Sequence, residues 1–212
     1  MKKLLFVFCL FFTTMIVANA QSSRFGFTAG TSIANYKTKL PGITFTNDPK
    51  TGFTVGILVD IPLGSNFSIQ PALNYIQKGS KWEEAPEKET ISINCLELPV
   101  NFLYNSNGAS GSFFAGAGPS FALNMSGTSK YDDGSGEEKE DLEFGSDEDN
   151  DDMKSMDVGA NFLAGYRFSN GLFFSAGYNV GLSNLLPYND DDASIKSNYF
   201  SIKIGFMLKG KK

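Results

Sequence analysis

Apolar and polar side chains alternate along most of this chain. Met156, Val158, Ala160, Phe162, Ala164, Tyr166 and Phe168 share one parity, and Asp157, Gly159, Asn161, Leu163, Gly165 and Arg167 share the other. Leu172, Phe174, Ala176, Tyr178, Val180 and Leu182 then alternate against Phe173, Ser175, Gly177, Asn179 and Gly181. A period of two predicts strands with two different environments. Ser169-Asn170-Gly171 between the runs predicts a tight turn, because Asn and Gly tolerate positive φ. Both arms exceed the ~5–6 residues of an ordinary globular strand and suit the ~9–11 of a tilted membrane-crossing strand.

The same unit recurs. Alternation predicts further strands over 24–37, 51–63, 67–78, 90–105, 112–127 and 196–209. Pro71, inside the third of the eight runs, predicts a local bulge. Long connections, expected to be loops, fall at 38–50, 79–89, 128–152 and 183–195, the last carrying Asp190-Asp191-Asp192. Short ones fall at 62–66, 105–111 and 169–171. Eight strands with connections that alternate long and short predict an all-β fold, an eight-stranded antiparallel up-and-down transmembrane β-barrel with both termini on the periplasmic side. In that topology Phe67, Phe102, Tyr104, Phe113, Tyr166, Phe168, Phe173, Phe174 and Phe206 form one aromatic belt, and Tyr36, Phe53, Tyr75 and Tyr199 the other. The opposite face is built of Gly, Ser, Asn and Thr with a few charges, as a narrow lumen requires.

Composition narrows the class. The 212 residues include 20 Phe and 22 Gly, with charged residues at only 19%. No run of 18 apolar residues follows the first twenty positions, which excludes a transmembrane helix there. Residues 1–20 read as a signal peptide: Lys2 and Lys3, the apolar run 4–17, and Ala18-Asn19-Ala20 as the cleavage site. The barrel domain is then 21–212. Without the leader 16 basic and 23 acidic residues remain, a net charge of −7, which excludes a nucleic-acid partner. Cys95 is the one cysteine left, so no internal disulfide forms.

The signal ending in Ala20-Gln21, the FxAGxG-like strands at Phe27–Gly30, Phe114–Gly118, Phe162–Gly165 and Phe174–Gly177, and Leu96-Glu97-Leu98-Pro99-Val100-Asn101-Phe102 together resemble the PorT-type outer-membrane β-barrel family. The resemblance covers nearly all of the mature chain. It implies an outer-membrane barrel. The member that gives the family its name is linked to protein secretion across the outer membrane.

Candidate chemistry is sparse. With no histidine, Ser-His-Asp triads, His general bases and His metal ligands are excluded, and neither an enzyme nor a cofactor is expected. The inward parity carries Asp60, Glu97, Asp157, Arg167 and Lys203, which should pair because an isolated charge in a narrow interior is costly. A contact from Glu97 to Arg167 or Lys203 is the specific expectation. The segment 128–152 holds twelve acidic residues against Lys130 and Lys139, a block that self-repels and is expected to be disordered. Within it Asp147, Asp149 and Asp151 have the spacing that opens a calcium loop, without its glycine at position six or its closing Glu. They are the candidate metal ligands, with diffuse cation condensation the competing reading.

The expected protein is a monomer held in outer-membrane lipid, acting through extracellular loops in surface interaction with a protein partner or in envelope structure. A narrow pore or a secretion accessory is the alternative. A second alternative is a soluble lipocalin-like carrier of a small hydrophobic ligand, with the apolar face turned inward.

Overall fold

The computed structural model describes residues 23–106, 108–188 and 192–208. The predicted signal peptide, Asp190 and Asp191 lie outside them. Every regular element among the described residues is a strand: β1 (Arg24–Leu40), β2 (Ile43–Thr46), β3 (Asp48–Pro62), β4 (Phe67–Glu84), β5 (Glu87–Asn105), β6 (Gly111–Asp132), β7 (Glu137–Leu142), β8 (Met156–Phe168), β9 (Leu172–Gly181) and β10 (Ser194–Met207). Eight of them pair in the order β1-β3-β4-β5-β6-β8-β9-β10, and β10 pairs back onto β1, closing an antiparallel ring. Each ring strand coincides with one run of alternation. β2 continues β3 past Asn47 and pairs with β1, and β7 folds back on β6.

The apolar parity faces outward. Phe27, Ile57, Phe102, Phe162 and Ile202 are each about half exposed, whereas Asp60, Asn74, Glu97, Asn161 and Ser201 on the opposite parity are buried. A ring with its polar side chains inside and apolar ones outside is the membrane arrangement. The inward-apolar carrier arrangement is not adopted.

Registers fix the stagger of the ring. In one direction Thr28 aligns with Gly56, Asn74, Glu97, Ala122 and Asp157. In the other it aligns with Gly205, Phe173 and Arg167. The two routes meet on β8 ten residues apart, the shear that tilts the strands of a closed barrel. One consequence is that Asp157 and Arg167, although on one strand, serve opposite ends of the lumen.

Several expectations are corrected. Pro71 does not bulge: the β4–β5 ladder loses pairs next to it and resumes in register, as a residue without an N–H permits. Register shifts lie elsewhere: between Pro49 and Thr54 in the β3–β4 ladder, and in β6, where Met125 is the extra residue between Asn124 and Ser126 and beyond it Gly127 turns inward. Tyr36, Phe173 and Tyr199 leave the aromatic belts and are buried in the lumen, because their parity overrides their height. Three of the long connections are largely strand. The 38–50 segment pairs through β2, 79–89 through the ends of β4 and β5, and 128–142 through β6 and β7.

Candidate functional site

The lumen is filled in layers. At the end with short turns, Arg24 Nη2 donates to Asp60 Oδ2 at 2.7 Å, and Arg167 Nη1 lies 3.3 Å from the same oxygen. The Arg167 guanidinium stands 5.5 Å from the centre of the Phe114 ring, a cation–π contact. Next comes an apolar layer of Leu58, Leu103, Phe114, Phe173 and Met207. Glycines on the neighbouring strands make room for its rings. A Cβ on Gly165 would strike Phe114, and one on Gly205 would strike Phe173. The small residues of the FxAGxG-like runs are therefore partly spacers.

A polar layer follows. Glu97, Lys203, Asn101, Asn161 and Tyr199 line a cavity of about 40 Å³, space for a few ordered waters rather than a ligand. The Tyr199 hydroxyl lies between the two Glu97 carboxylate oxygens, at 2.8 and 2.7 Å, and donates to them. Lys78 Nζ donates to Asp157 Oδ2 at 3.0 Å and sits 5.1 Å from the centre of the Tyr199 ring. The Ser183 hydroxyl donates to Asp157 Oδ1 at 3.0 Å. Above this lies a second apolar layer, in which Met153 and Leu185 come from the connections and pack with Tyr36, Ile76, Ile93 and Tyr199.

Of the inward charges expected to pair, Asp60 meets Arg167, while Asp157 meets Lys78. Glu97 is held by Tyr199 and contacts neither Arg167 nor Lys203 as an ion pair among the described residues; Lys203 shares its cavity. The stagger explains the difference: Arg167 is ten residues down β8 from the row that carries Glu97. Sequence reading passed over Lys78 and Arg24. Lys78 has the same parity as Ser68 and Asn74, both buried, so the signal was present at the very end of that run.

At the other end the strands outrun the apolar band. The alternating run of outward apolar residues stops at Leu96 on β5 and Met125 on β6, with Tyr131 an isolated exposed aromatic further along, yet β6 continues through Asp132. Those last seven residues extend it by about 23 Å at ~3.3 Å per residue. β5, β6 and β7 form an ordered arm there, and Lys130 Nζ pairs with Glu137 Oε1 at 2.7 Å across its hairpin. The block expected to be disordered is thus partly a hairpin. Backbone pairing and capping carboxylates offset the self-repulsion. Asp133 accepts from the Ser135 hydroxyl and from the N–H groups of Ser135 and Gly136, which holds its carboxyl below the usual range. Asp147 accepts from the Asn150 amide and the Asp149 N–H and is lowered likewise. Asp151 accepts from the Asp147 N–H. These carboxylates face backbone and amide donors. Among the described residues no group of three acidic or cysteine side chains converges as metal ligands; Asp147 and Asp149 are exposed and Asp151 is half-buried.

Comparison with known protein families agrees with this architecture. The family model described as "Outer membrane protein beta-barrel domain" matches residues 19–186. Solved structures similar to the chain include Ail, the attachment invasion locus protein of Yersinia pestis, at 14% identity over 88% of this chain and 99% of that one, TM-score 0.45. Neisserial surface protein A is similar at 12% identity over 87% and 97%, TM-score 0.45. OprG from Pseudomonas aeruginosa is similar at 10% identity over 89% and 97%, TM-score 0.49. No curated protein matches the sequence.

Proposed function

Since the chain belongs to the outer membrane protein beta-barrel domain family and is a small barrel of the outer membrane, we propose that its work is done outside the membrane, by the acidic arm of β5, β6 and β7, in surface interaction with a cationic partner. The observation that carries this reading is the continuation of these strands beyond the apolar band. Short turns and termini are periplasmic in such barrels, so the arm is extracellular. Its edge strand β7 reads Glu137-Glu138-Lys139-Glu140-Asp141-Leu142 and is almost wholly exposed. An ordered acidic surface attracts basic partners and steers them by long-range field.

A filled lumen favours this over the pore reading. Two apolar layers cross it, and the space between them is about 40 Å³. The PorT-type resemblance keeps a secretion role in view, and it would be exercised through the same arm rather than through the lumen.

The test compares the full protein in lipid nanodiscs with a variant in which residues 133–152 are replaced by a Gly-Ser linker, titrated with a lysine-rich peptide. Saturable, salt-sensitive binding that is lost in the variant supports the proposal. Equal binding by both proteins would remove it. Stepwise conductance of the purified protein in planar bilayers would establish the pore reading instead.

A further inference from the structure

We infer that the periplasmic mouth of the lumen is a binding site for a small oxyanion group, a phosphate or a carboxylate, held by Arg24 and Arg167. Two guanidinium groups converge there on one oxygen of one carboxylate, Asp60 Oδ2, so the cluster carries one positive charge in excess. Its hydrogen bonding is incomplete. Among the described residues, the buried Arg24 Nε, Arg167 Nε and Asp60 Oδ1 have no hydrogen-bond partner. A guanidinium has five donors in a fork that matches an oxyanion, and unsatisfied buried donors are costly to leave bare.

Beside the cluster lies an open pocket of about 190 Å³, walled by both arginines, Ser112, Ser169, Gly111 and Gly171. It is smaller than the ~300–1,000 Å³ of a site for a whole drug-sized ligand and suits one charged group. Ser112 and Ser169 also line it, and a serine hydroxyl can donate to an anion. Glycine is needed at its rim: a Cβ on Gly171, whose φ is +97°, would press on the Met207 carbonyl oxygen at 2.5 Å. The Arg24 side chain is 38% exposed and the Arg167 side chain 7%, so one faces the mouth and the other is fixed behind it. Asp60 then plays a second part. By occupying both guanidinium groups it competes with an incoming anion.

This inference is independent of the extracellular arm. Its test uses the full barrel refolded in dodecyl maltoside, which carries no phosphate, with inorganic phosphate titrated against chloride at constant ionic strength by calorimetry. Saturable phosphate binding is expected. Arg24→Ala should weaken it by at least about tenfold while the boiling-dependent gel shift of the folded barrel persists. Asp60→Asn, which removes the competing charge, should tighten it by about tenfold. A merely structural cluster would give no phosphate binding in either the natural protein or Asp60→Asn, and that result would overturn the inference, as would binding indifferent to Arg24→Ala. The source is read by competition. Short-chain phosphatidylglycerol that displaces phosphate better than glycerol phosphate identifies a lipid headgroup; equal displacement identifies a free anion.

Discussion

Lys78 and Asp157, 79 residues apart in sequence, meet across the lumen at 3.0 Å with both side chains almost fully buried. They sit on β4 and β8, which are separated in the ring by β5 and β6. Removing one partner strands the other. Lys78→Met and Asp157→Leu should each destabilise the refolded barrel by about 3–5 kcal/mol in urea titration, whereas the double variant should lie near the natural protein. Single and double variants of equal stability would show that the pair contributes nothing.

The Tyr199–Glu97 contact predicts a smaller effect. Tyr199→Phe deletes the hydroxyl that lies between both carboxylate oxygens of a buried Glu97. A loss of about 1–3 kcal/mol is expected, and Glu97→Gln on that background should recover part of it, because a neutral amide is less costly to bury. The same urea titration checks both.

Lys130 and Glu137 supply a contrast. Their side chains are 44% and 57% exposed. Lys130→Ala should leave stability within about 1 kcal/mol of the natural protein, since solvent and salt screen such pairs. A larger loss would mean that this contact holds the whole arm together.

Glycine spacing gives a fourth expectation. Gly205→Ala places a methyl group against the Phe173 ring, and Gly165→Ala places one against Phe114. Overpacking in a filled interior costs about 1–3 kcal/mol. Truncating the ring as well, in Gly205→Ala with Phe173→Leu, should restore part of the loss in a thermal melt followed by the boiling-dependent gel shift.

Much of this was legible in the chain because the side-chain period of a strand is two. Parity placed Asp60, Glu97, Asp157 and Arg167 inside and Phe27, Phe102 and Phe162 outside. The alternation of connections set the strand count. Which charges meet was not legible. Partners across the lumen depend on the stagger of the closed ring, a sum over eight registers that no local pattern prints. The order in the acidic segment was missed for a different reason. Composition describes the repulsion among its carboxylates, but not the backbone ladder from Gly127 to Leu142 or the N–H groups that Asp133 and Asp147 cap.

The crossing from Lys78 to Asp157 also bears on how the barrel is made. While the sheet is flat, two intervening strands hold these residues apart, and each would enter lipid as a lone charge. Curling is what joins them. A half-built, uncurled sheet is therefore penalised in the bilayer, and the ion pair couples insertion to closure: the chain reaches its low-energy state in the membrane only as a complete ring.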